Sequence, residues 1–136
     1  IPDAVLSPGG CSKLIGITVL NKDDVLHDHD LIFMQVSSDL GTINDAVATN
    51  SKWTNVLATS AKPLGIVKID MSDNYADMVN NLIYSSRGTQ DSKDTLPMLL
   101  QAESDSKSVY FAAVSRTGDP TISATDAYSY AFHIEY

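Results

Sequence analysis

A chain with one cysteine cannot close an internal disulfide, and Cys11 is the only cysteine here. The fold therefore has no disulfide framework, and a lone cysteine reads as a small buried apolar side chain. Cations are scarce as well: nine lysines and arginines stand against seventeen aspartates and glutamates, a net charge of −8. That balance excludes a nucleic-acid groove and an anionic membrane surface, which both need clustered Lys and Arg. Long apolar runs are also missing. Leu14-Ile15-Gly16-Ile17-Thr18-Val19-Leu20 and Pro97-Met98-Leu99-Leu100 fall far short of the roughly 20 residues that span a bilayer. No signal-peptide pattern follows Ile1. The chain carries no Gly-x-Ser-x-Gly elbow, no Gly-x-Gly-x-x-Gly and no phosphate loop.

What is present suffices for one core. A chain of 136 residues, 43% apolar, is long enough for a single globular domain. Residues 1–12, with Pro2, Pro8 and the Gly9-Gly10 pair, read as an extended arm that is disordered until assembly. Residues 13–136 read as a single β-rich domain. Residues 13–21 form a period-two run, with Ile15, Ile17 and Val19 on one face and Leu14, Thr18 and Leu20 on the other. Asn21-Lys22-Asp23-Asp24 then reads as a turn. Residues 31–36 are apolar on both faces, the pattern of a strand inside a sheet.

Residues 37–50 read as a loop and 51–58 as a short helix carrying Trp53, Val56 and Leu57. Residues 63–69 are the next strand. Tyr75, Met78, Val79, Leu82 and Ile83 fall at helical spacing and predict an amphipathic helix, capped by Ser72 or Asp73 and ended before Gly88. Residues 98–103 and 108–115 flank a polar turn and predict a hairpin. At the end of the chain, Tyr128, Tyr130, Phe132, Ile134 and Tyr136 alternate onto one face, to serve the core or a subunit contact. The expected fold is mainly β, a compact antiparallel β-sandwich or barrel with one or two short helices.

Chemistry-bearing residues concentrate in Asp23-Asp24-Val25-Leu26-His27-Asp28-His29-Asp30. On an extended chain His27 and His29 point to the same side and could share a metal. The only other histidine, His133, lies near the far end of the sequence, and spacing alone does not define a site. A solvated turn that leads into the 31–36 strand is the simpler expectation. Asp70, Asp73 and Asp77 do not fit a calcium loop, since Tyr75 occupies the sixth position from Asp70 and Asn81 the twelfth. Neither a metal, nor a cofactor, nor a catalytic group is therefore expected, and the chain is read as not being an enzyme.

Two further segments carry a resemblance. Asp30-Leu31-Ile32-Phe33-Met34-Gln35-Val36 runs into Ser37-Ser38-Asp39-Leu40-Gly41-Thr42-Ile43-Asn44-Asp45-Ala46-Val47. Leu99-Leu100-Gln101-Ala102-Glu103 is followed by residues 108–121, which close on Gly118-Asp119-Pro120-Thr121. With the opening strand, this order resembles small virion proteins of tailed bacteriophages of the capsid decoration, or cement, type. It spans most of the chain from residue 13 onward; between residues 70 and 95 this chain looks longer and more helical. The resemblance implies a protein on the outer surface of the virion that binds across major capsid protein subunits. It implies a homo-oligomer, a trimer being favoured by threefold points on a shell. The expected contact residues are Ile1, Pro2, Val5 and Leu6 of the arm, Leu40, Thr42 and Asn44 of the loop, and Tyr128 and Tyr130. The alternative is a carbohydrate-binding or host-recognition module of a head or tail fibre.

Overall fold

A computed structural model of the chain describes residues 1–23, 25–38, 62–71, 75–79, 81–86, 96–116 and 127–136. Eight strands appear there: β1 (Cys11–Asn21), β2 (His29–Met34), β3 (Pro63–Ile69), β4 (Ala76–Asp77), β5 (Leu82–Ser86), β6 (Met98–Gln101), β7 (Tyr110–Ser115) and β8 (Tyr128–Glu135). They form two antiparallel sheets. In the larger one, β1 pairs with β8 along one edge, while β6 and β5 share the other edge end to end and β4 continues from β5. The smaller sheet is β3-β2-β7. The two sheets pack as a sandwich, and no barrel closes them.

Leu14, Ile17 and Val19 of β1, Leu31 and Phe33 of β2, Val67 and Ile69 of β3, and Leu100 of β6 fill the space between the sheets. Phe111, Tyr128, Tyr130, Phe132 and Ile134 pack against this core. Gly65 of β3 allows close approach there, because a Cβ at that position would run into the Met98 thioether of β6. The apolar 31–36 run does enter a sheet interior. β2 is the central strand of its sheet, and Ile32 and Met34 on its other face form a second buried cluster with Ala112 and Val114.

Five expectations need correction. The face assignment along β1 is broken by a bulge: Leu14 pairs with Ile134 but Gly16 with His133, leaving Ile15 as the extra residue. The bulge turns Leu14 inward with Ile17 and Val19 and leaves Ile15 exposed. Cys11 starts β1 on its outward face and is exposed, not buried.

The helix predicted from Tyr75 to Ile83 is the β4–β5 hairpin. Leu82 and Tyr84 turn inward with period two against the edge of β1, and a strand edge needs backbone partners that a helix cannot supply. Ser72, Asp73, Gly88 and the 51–58 helix lie outside the described residues. The predicted hairpin after residue 98 is a turn, with Ser106 N donating to Glu103 O at 3.0 Å, but its flanking strands belong to different sheets.

The fifth correction concerns the arm. Residues 1–10 lie along the connection between β6 and β7 instead of extending away. The Ile1 ammonium donates to Val109 O at 2.8 Å, Val109 N to Ile1 O at 3.1 Å, Val5 N to Lys107 O at 3.3 Å and Gly9 N to Ser106 O at 3.0 Å. Ala4 and Val5 are fully buried, and the buried Ser12 hydroxyl donates to Ala4 O at 2.6 Å. Buried backbone groups need such partners, and here the arm and the crossing connection supply them to each other. In hydrogen-exchange measurements on the isolated protein, the Val5, Gly9 and Val109 amides are expected to be protected. Free exchange at all three would contradict the packed arm.

Candidate functional site

Strand direction gathers polar side chains at one end of the sandwich. β1 ends there at Asn21, β2 and β8 begin there at His29 and Tyr128, and β3 and β7 end there at Ile69 and Ser115. Asn21 is fully buried and organises the segment that follows. Its amide donates to Val25 O at 2.6 Å and to the Tyr128 hydroxyl at 3.3 Å, and its Oδ1 accepts from Asp23 N at 2.8 Å. The last contact is an Asx turn, so the turn read at Asn21 is present.

The histidines are brought together, as their spacing implied, but they are not solvated. His27 and His29 keep only 8% and 2% of their exposure, with rings stacked 5.8 Å apart. His29 continues the inward row of Leu31 and Phe33, so the strand's period two carries it into the core. His29 Nδ1 faces the His27 carbonyl at 3.0 Å, and a carbonyl only accepts, so Nδ1 bears the proton of the neutral ring. Nε2 then accepts from the Tyr130 hydroxyl at 3.0 Å. His27 Nε2 meets the Ser115 hydroxyl at 2.8 Å.

Arg116, directly after β7, ties β2 to the chain leaving β3. Its Nε donates to Asp30 Oδ1 at 2.6 Å, Nη1 to Asp70 Oδ1 and Nη2 to His29 O at 3.5 Å. Asp77, in β4, accepts from Val79 N at 2.8 Å, so Asp70 and Asp77 serve separate local tasks. Among the described residues no three His, Cys, Asp or Glu side chains converge to hold a metal ion. The rings of Tyr128 and Tyr130 face His29 edge-on at 5.4 and 5.8 Å. Burial, helped by Asp23, pushes the Tyr128 hydroxyl up to about 12, and burial with Tyr128 nearby raises Tyr130 as well.

The expected contact residues divide. Ile1 and Val5 face the core, while Pro2 and Leu6 are exposed. Tyr128 and Tyr130 are packed between the sheets. Leu40, Thr42 and Asn44 lie outside the described residues. Arg116 and Ser115 were not singled out from the sequence as site residues, Asn21 was read only as the start of a turn, and Asp70 was weighed only for a calcium loop. The one available signal was His27-x-His29-x-Leu31-x-Phe33, which extends the inward row of the strand upstream into the histidines. Comparison with protein-family models, with curated proteins and with solved structures found no match to this chain.

Both imidazoles are held below their ordinary value of 6.5. Burial is the main cause for His29, with His27 and Arg116 adding to it and the His27 carbonyl and Asp30 opposing; burial also lowers His27, against Asp28. The unfolded chain therefore takes up protons below about pH 6.5 where the folded corner resists them. Stability is full above that pH and falls as the pH drops through it, until the folded histidines themselves protonate. The urea midpoint is expected to drop between about pH 7.5 and 5.5, and a His27→Gln/His29→Gln variant to show a flatter profile. An unchanged slope would show that other groups carry the dependence.

The arginine clasp makes a separate prediction. Arg116→Met leaves two partly buried carboxylates facing each other and should lower unfolding free energy by about 1–3 kcal/mol. Lys13→Met breaks only the exposed 3.4 Å pair with Glu135, so its effect should stay below about 0.5 kcal/mol in the same urea titrations.

Proposed function

We propose that this chain is a capsid decoration protein of a tailed bacteriophage, seated on the outer surface of the head across major capsid protein subunits. The observation that carries this reading is the pair of ordered sequence patterns, residues 30–47 and 99–121, which resemble such proteins in both content and chain order. The sandwich supports it. A cement protein needs a rigid body that presents apolar surface to several subunits, and it needs no reacting group. The side chains with chemical potential here direct their hydrogen bonds to the fold itself: His29 to Tyr130, His27 to Ser115, Arg116 to Asp30 and Asp70.

On this reading the chain assembles as a trimer about threefold points of the shell, where one small footprint repeats many times. A carbohydrate-recognition module would use tyrosines and acidic loops open to a sugar, and the Tyr128 and Tyr130 rings are engaged against the core. The purified protein, mixed with phage heads that lack it, should co-sediment to a saturating ratio and raise the temperature at which the heads release DNA. Heads that neither bind it nor gain heat resistance would overturn the proposal.

A further inference from the structure

The hydrogen-bonded end of the sandwich also carries exposed apolar side chains. Asn21 of β1 pairs with Leu82 of β5, and Leu82 pairs with Asp77 of β4. The segment after β1 and the β4–β5 turn therefore leave the larger sheet at the same end. Val25 and Leu26 on the first, with Tyr75, Met78 and Val79 around the second, are all exposed.

Val79 is the most telling of them. It adopts φ +78, a left-handed conformation that costs a β-branched residue about 1–2 kcal/mol. Its backbone is held there, with Val79 N donating to Asp77 Oδ1 at 2.8 Å and Met78 N to Asn81 O at 2.9 Å. Yet its side chain is 81% exposed, so packing within the chain does not offset that cost. Glycine or asparagine would satisfy the turn better. An exposed, strained valine at a turn tip points to a contact made outside the chain.

The charges around these residues state what kind of contact. In the chain Asp23 and Asp28 flank Val25 and Leu26 and Asp77 precedes Met78, while the cations at this end are Lys22 and Arg116, the latter engaged with Asp30 and Asp70, in a chain of net charge −8. A second copy would bring the same acidic rim and be repelled. We propose that this end of the sandwich is the face that docks on a protein surface with an apolar centre and a rim of Lys and Arg. Resting on the decoration reading, that surface is the outer face of the capsid subunits.

The test compares sedimentation with undecorated heads for the wild-type chain and three variants. Val79→Gly should raise the melting temperature by roughly 2–4 °C while weakening binding about tenfold, opposite signs that a merely structural role would not produce. Leu26→Ser/Met78→Ser should lose binding with an unchanged circular dichroism spectrum, and Leu99→Ser, on β6 away from this end, should bind as the wild type does. Wild-type binding should weaken steeply with added salt. If the wild type binds and the patch variants bind equally well, or binding ignores salt, the docking face is wrong and the decoration reading stands. If the wild type fails to bind, both fall.

Discussion

The two sheets meet through aromatic rings, and the rest of the molecule is arranged around that contact. Phe132 of β8 stands edge-on to Phe111 at 4.9 Å and to Phe33 at 5.7 Å, and Tyr130 meets Phe111 at 5.5 Å. Such pairs contribute about 0.5–1.5 kcal/mol each beyond the area they bury. Their larger effect is on register. Every ring sits at an alternate position of its strand, so a one-residue slip of β8 on β1, or of β7 on β2, would turn the whole row toward water. The bulge at Ile15 follows from the same constraint. It lets β1 bury Ser12 against the arm and Leu14 in the same core as Ile17 and Val19, although Leu14 differs from those two in parity.

At one end the aromatic row gives way to polar groups. Tyr128 and Tyr130 continue the stack of Phe132, but their hydroxyls need partners once buried, and Asn21 and His29 provide them. The histidines thus extend the hydrophobic contact into a hydrogen-bonded one while remaining neutral. Arg116 closes the same end across β2 and the chain leaving β3. Through Asn21, which donates to Val25 O, the network also anchors the segment that carries the exposed Val25 and Leu26.

Much of this was legible in the residue pattern. The strand in residues 31–36 was readable because both of its faces are apolar, and the closing strand because its aromatic alternation is uninterrupted. The turn at Asn21 announced itself through its side chain. The helix expected from Tyr75 to Ile83 failed for a definable reason. Apolar residues at helical spacing also satisfy a hairpin when the outer ones are left exposed, and Tyr75, Met78 and Val79 are. The arm was misread because Pro and Gly content describes local stiffness, whereas Ile1 and Val5 are held by Val109 and Lys107, more than a hundred positions away.

By itself the sequence determined the strand-rich class, the inward row of β8 and the central place of β2, since these follow from period-two patterning within a few residues. It also placed His27 and His29 on one side of an extended chain. Only the tertiary structure decided that this side is the core, that Tyr130 and Ser115 complete the pair, and that Arg116 reaches Asp30 and Asp70. Those partners lie 46 to 101 residues apart. Local pattern reports which face a side chain takes, but what stands opposite depends on how distant strands are ordered, and that is set by packing of the whole chain.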